Sequence, residues 1–288
     1  MKPVGRFGAL SLNVYFWAFV AFLFAPLIVL VIFSMNNSMT PTLPLSGFTT
    51  KWFDQAFSNS ELTGAVVRSA GIALTTSVFA TALGVMASIG LMALRGRALA
   101  LAVATLLLPL VVPYISLAVG LLILLQTLGA GPSLGAVVLG HAVITLPFAI
   151  LVVLPRLRSL DPAMNEAALD LGASSLAAFR LITLPLIVPA LVSSGIICFV
   201  TSFDEFAIAS FLAPAGQPTY PIFLYASVRT PALLPDVIAI GAIVIVASLL
   251  LVVAAEGGRR WAERRLVGAG AALEIPVEEA AISVIAPG

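Results

Sequence analysis

Long apolar stretches alternate along this chain with short polar islands. Six stretches reach the roughly 20 apolar residues that a helix needs to cross a bilayer core. They span 14–35, 69–94, 98–128, 133–154, 186–212 and 237–255. The second runs from Arg68 to Arg95 without an ionisable residue between them. The third is the longest and carries Pro109 and Pro113, which predicts a kink or an interfacial extension. The first follows Lys2 and Arg6. Its apolar run is too long for a secretory signal and no small-residue cleavage site follows, so it reads as an uncleaved anchor. The pattern predicts an all-α membrane protein with six transmembrane helices. One transmembrane domain occupies 1–266, and 267–288 form a flexible cytoplasmic tail.

Composition agrees with that pattern. The chain has 288 residues, of which 61% are hydrophobic and 9% charged. Soluble domains carry about a quarter charged residues. The net charge of +1 says little, whereas the placement of charge says more. Lys2, Arg6, Arg95, Arg97, Arg156, Arg158, Arg180, Arg259, Arg260, Arg264 and Arg265 share one side if both termini are cytoplasmic. Lys51, Arg68 and Arg229 are left on the other. That bias is the one expected for cytoplasmic loops. It leaves 36–67, 129–132 and 213–235 outside. The single cysteine, Cys198, excludes an intrachain disulfide and a thiolate metal site. Neither lysine follows a glycine and no Gly-x-x-x-x-Gly-Lys occurs, so the chain has no phosphate-cradling loop of its own. No metal or cofactor site is expected.

The polar island at 155–185 is too long for a simple connection, since loops of this kind usually hold a few residues. Asp161-Pro162 is a helix start, with a carboxylate cap followed by proline at the first helical position. The run from Met164 to Leu171 is rich in helix formers. Gly172 stands where a left-handed residue would end that helix. Ser174 or Ser175 caps a second short helix, and Leu184-Pro185 is expected to stop it before the fifth span. A capped helical hairpin between two spans reads as a docking element.

The spacing within the hairpin is Glu166-Ala167-Ala168, three residues, Gly172, nine residues, then Ile182-Thr183-Leu184-Pro185. It resembles the signature of inner-membrane permease subunits of bacterial ABC importers, and Glu166, Ala167, Ala168, Gly172, Ile182, Leu184 and Pro185 match it. The resemblance covers the chain from the first span to the sixth. It implies the type I ABC importer (MetI-like) fold, with this hairpin as the cytoplasmic coupling helix. It also implies a bacterial inner-membrane protein with several partners: a second permease subunit, two cytoplasmic ATPase subunits that bind ATP in its place, and a periplasmic solute-binding protein. Glu166 would pair with an arginine of the ATPase, and the chain itself would not be an enzyme.

The fifth span carries Ser202-Phe203-Asp204-Glu205-Phe206. Ionisable side chains in a span cost a few kcal/mol each and mark function by default. On an unbroken helix Asp204 and Glu205 would lie about 10–12 Å from the outer end and point about 100° apart. One would line the translocation path with Ser202 and Phe203, and the other would meet a neighbouring helix. An acidic path favours cationic cargo. This run, and Gly47 to Phe53, resemble the spermidine/putrescine group of these permeases, which implies a polyamine as cargo. Permeases for iron, sulfate or amino-acid-like solutes share much of the pattern. His141 reads as a buried histidine bonded to a backbone carbonyl. Trp52, Phe53 and Phe57 read as interfacial anchors. An ion-coupled secondary transporter is the rival from another class. Its mark would be an inverted repeat with broken helices, and the halves of this chain show no repeat.

Overall fold

The computed structural model describes residues 6–273. The expected tail lies outside the described residues from 274 onward. Helix α1 is Arg6–Ser34, α2 Lys51–Ser58, α3 Ser60–Ala93, α4 Gly96–Leu107 and α5 Tyr114–Thr127. Helix α6 is Leu134–Arg158, α7 Pro162–Asp170, α8 Ser175–Ala178, α9 Leu184–Phe203, α10 Ala207–Leu212, α11 Tyr220–Ser227 and α12 Leu234–Leu273. The described residues hold no strand beyond one isolated bridge between Asn36 and Phe48.

Among the described residues, five helical stretches are long and apolar enough to cross a membrane. A sixth exists if the pair Gly96–Leu110 and Tyr114–Thr127 is counted as one span, and that pair is bent by 99°. The expected long third span is therefore two helices. The cause lies in its prolines. A 3₁₀ turn at Leu108–Leu110 contains Pro109. Pro113 then keeps Val112 from continuing the helix and supplies no N–H.

A second difference appears before the fifth span, where Leu184-Pro185 stops nothing. Helix α8 passes through a π turn at Phe179–Thr183 straight into α9, and Leu184 is helical at φ −59°, ψ −49°. A proline ring inside a helix clashes with the carbonyl four residues back. The wider π turn just ahead of Pro185 gives that carbonyl room. The result is one helical run over Ser175–Phe203.

Contacts group the chain into two compact units. Among the described residues, one holds the stretch up to Ile72, Ala118–Val137 and Phe203–Leu249; the other holds Ala73–Leu117, Val138–Ser202 and the stretch from Leu250. In the second unit α3, α6 and α9 meet at Ala80, Ala149 and Cys198, all fully buried. Gly84 allows this approach, because a Cβ there would stand 2.5 Å from the Ala149 Cβ. Val153, Leu157 and Ile187 form a neighbouring cluster, with Leu184 packed on it. Hydroxyls join the same helices. Thr81 and Ser194 lie 3.3 Å apart, and Cys198 Sγ donates to the Thr145 carbonyl. In apolar surroundings such small residues and interhelical hydrogen bonds hold helices together where hydrophobicity cannot.

In the first unit the segment after α1 is tied into a closed loop. Asn36 Oδ1 accepts from Ser46 N at 2.8 Å, and its carbonyl accepts from Trp52 Nε1 at 2.8 Å. Trp52 is buried and Lys51 lies over its ring. Trp52 is thus a staple of the loop instead of an anchor in the interface, because its N–H finds a protein carbonyl.

Candidate functional site

Two constellations emerge, each within one unit. The first is the hairpin. Asp161 caps α7 by accepting from Ala163 N at 3.0 Å. At the other end Ala173 N donates to the Ala168 carbonyl at 3.0 Å and Gly172 N to the Leu169 carbonyl at 2.9 Å. That paired closure requires a left-handed residue at the turn, and Gly172 has φ +88°. Ser174 caps α8 by accepting from Ala177 N at 3.2 Å. Thr183 then donates to Asn165 Oδ1 at 3.3 Å, which closes the π turn onto α7. Every end of the hairpin is satisfied by its own residues.

Of the signature residues, Glu166 and Ala167 are exposed on α7, and Ile182 sits half-buried in the π turn. Leu184 packs inward and Pro185 is exposed at the start of α9. Beneath the hairpin lies a cavity of about 400 Å³, bounded by Met92 of α3, Leu157 of α6, Glu166 and Leu169 of α7, and Phe179. The outer face shows Leu171 at 90% exposure and Leu181 at 76%.

The second constellation surrounds Asp204. Helix α9 ends at Phe203 and α10 begins at Ala207, so Asp204 and Glu205 lie in a break. The expected helical geometry, with the two carboxylates about 100° apart, does not apply. Side chains alternate instead. Phe203 and Glu205 are buried, while Asp204 and Phe206 are exposed. Asp204 and Phe206 line a cavity of about 360 Å³ with Tyr220, Pro221, Leu224 and Tyr225. Phe206 packs on Tyr225 with ring centres 4.9 Å apart, and Phe203 on Tyr220 at 6.0 Å.

Glu205 turns the other way. Both of its oxygens accept from Ile208 N, at 3.0 and 2.9 Å, and one also accepts from Ala209 N at 3.1 Å. Ser202 is buried, with its Oγ 2.7 Å from Nδ1 of the buried His141. His141 is buried as expected and meets the Ser202 hydroxyl through Nδ1, while its own carbonyl accepts from Thr145. Of the four residues that the sequence offered for the path, Asp204 alone lines this cavity.

The sequence reading missed Tyr220, Tyr225 and the clamp behind them. Arg68 Nε donates to the Pro218 carbonyl at 2.9 Å, and Tyr220 N donates to Ser69 Oγ at 2.8 Å. These bonds pin the turn before α11 to α3 across some 150 residues of sequence. No local pattern signals a contact of that separation. Arg68, at the polar edge of a span, was the available hint.

With this geometry established, the chain can be compared with known proteins. Residues 80–268 match the model of a family described as binding-protein-dependent transport system inner membrane component. The spermidine/putrescine transport system permease protein PotC of Escherichia coli (strain K12) is 32% identical over 249 residues, covering 86% of this chain and 94% of that protein. The putrescine transport system permease protein PotI of the same strain is 34% identical over 218 residues, covering 72% and 76%. Among solved structures, a bacterial ABC transporter involved in the import of the acidic polysaccharide alginate aligns with a TM-score of 0.66 at 18% identity, over 88% of this chain and 94% of that one. The bacterial alginate ABC transporter in complex with alginate pentasaccharide-bound periplasmic protein aligns at 0.63 and 18%, over 86% and 91%. At that identity the two structures speak for the fold alone.

Proposed function

The chain belongs to the family of binding-protein-dependent transport system inner membrane components, and from that premise we propose that it is the permease of a polyamine importer. Family and fold make it a multi-pass inner-membrane permease of an ABC importer and place it among transport components, not enzymes. The cargo is proposed to be a small protonated amine such as putrescine or spermidine. The observation that carries this is identity of about a third to polyamine permeases over most of the chain. The Asp204 cavity supports it, because a carboxylate among Tyr and Phe rings suits an ammonium group.

In this proposal the hairpin faces the cytoplasm and two ATPase subunits, which bind ATP, grip this chain and a second, different permease. Leu171, Leu181 and Glu166 meet one ATPase, while Gly172, Ala167, Ala168, Ile182, Leu184 and Pro185 keep the hairpin in shape. A hairpin whose ends are all capped transmits displacement instead of absorbing it. Helix α1 supports the second permease. None of its membrane window is buried within this chain, and it displays Tyr15, Trp17 and Phe22. A periplasmic binding protein delivers the cargo.

The test is uptake of labelled putrescine by cells that lack their own polyamine importers and express this chain with its partner subunits. Uptake that needs both this chain and ATP supports the reading, and no uptake of any amine overturns it. Gly172→Val should leave the protein in the membrane at its usual level. It should cut transport on the order of tenfold or more, because φ +88° costs a β-branched residue about 1–2 kcal/mol or more. Unchanged uptake in that variant would remove the coupling role.

A further inference from the structure

We infer that Glu205 is a positioning residue for the cargo cavity, an inference that rests on the proposed reading of Asp204. Its neighbour meets the cargo, and Glu205 holds the backbone break that presents that neighbour. A break in a helix leaves the first amides of the following helix without intrahelical acceptors. Here those amides belong to Ile208 and Ala209, both fully buried. Where water is excluded such groups must find partners within the protein. Glu205 supplies them with both carboxylate oxygens, at 2.9 to 3.1 Å. Its own side chain is 6% exposed and does not line the cavity.

Three held groups, Phe203 and Glu205 buried and Phe206 exposed, therefore fix the alternation from Phe203 to Phe206. Phe203 is held against Tyr220 and Phe206 against Tyr225, while Glu205 is locked onto α10. With residues on both sides held, Asp204 has one direction left, into the cavity. If Glu205 let go, the freed amides of α10 would seek another acceptor. Asp204 lies closest along the chain, four and five residues before them, and would be drawn off the cavity wall. The two adjacent carboxylates thus divide the work: one supplies charge to the path and the other supplies hydrogen-bond acceptors to α10.

That division predicts which chemical property each position needs. The test uses the complete importer in liposomes, with cargo-loaded binding protein in excess, and reads putrescine transported per ATP hydrolysed. Asp204→Asn should lower this ratio about tenfold, the size of one lost charge-assisted hydrogen bond. Glu205→Gln keeps an acceptor oxygen at the same reach, and its ratio should stay within about twofold of the unmodified protein. Glu205→Met, of similar length without such an acceptor, should lower the ratio as Asp204→Asn does.

A tenfold loss in Glu205→Gln would overturn the inference, since charge at this position would then matter to the cargo. A Glu205→Met protein whose uptake and hydrolysis fall in step, with the ratio unchanged, would also overturn it, by showing a purely structural role. If Glu205→Met does not reach the membrane, Glu205→Gln decides alone. An unchanged ratio in Asp204→Asn would remove the cargo reading, and this inference with it.

Discussion

The bond between Ser202 and His141 shows how one hydroxyl constrains a buried ring. Both residues are nearly inaccessible, at 2% and 1%, and the 2.7 Å contact joins α9 to α6. Ser202→Ala should destabilise the protein by about 0.6–2 kcal/mol, read as earlier thermal unfolding in detergent; an unchanged transition would sink that role. The same serine marks a limit of sequence reasoning. In sequence it stands beside Asp204 and invited the same assignment. In space it faces a histidine 61 positions away. The importance of Asp204 was legible because a charge in an apolar run must have a reason. That Glu205 would turn inward was not, since the amides it satisfies exist only once the helix is broken.

At the scale of elements, periodic and punctuating signals were read well and proline was read too simply. Asp161, Gly172 and Ser174 each sit at the helix end that their chemistry requires. Proline gave opposite outcomes at two places. Pro113 helps break the third apolar segment by 99°, whereas Pro185 is absorbed into a continuous helix. Local preference is similar at both, and the difference is the π turn that makes room ahead of Pro185. Helix packing gives a sharper expectation. Gly84→Val places carbon where Ala149 already stands and should destabilise the α3–α6 contact by about 1–3 kcal/mol. Pairing it with Ala149→Gly should restore part of the loss, as a double-mutant cycle would show. Equal stability of Gly84→Val and the unmodified protein would refute the close approach.

For the whole molecule, the parity of crossings rests on the bent pair α4–α5. Among the described residues, five long helices alone would leave the start of α1 and the end of α12 on opposite faces, and a sixth crossing returns them to the same face. Lys2 and Arg6 flank the start of α1 and Arg259, Arg260, Arg264 and Arg265 fall late in α12, and the positive-inside bias then asks for the even number. A fluorescent protein fused after Gly288 should therefore fluoresce, and a phosphatase active only outside the cytoplasm should work when inserted at Gly131. The reverse result at either position would make α4–α5 a re-entrant loop. One consequence of the π turn reaches along the whole fifth span. A π turn is an α-helix with one residue too many, and each residue advances a helix by about 100°. The five residues from Phe179 to Thr183 therefore set a phase as well as a path. Striking out a single residue there would leave an ordinary helix of nearly the same length, turned by about a quarter of a revolution beyond that point. Ser194, Cys198 and Ser202 would then face away from Thr81, Thr145 and His141. The spacing between Gly172 and Pro185 is in this sense a dial setting, and the chain tolerates insertions or losses in the hairpin only where they leave that angle alone.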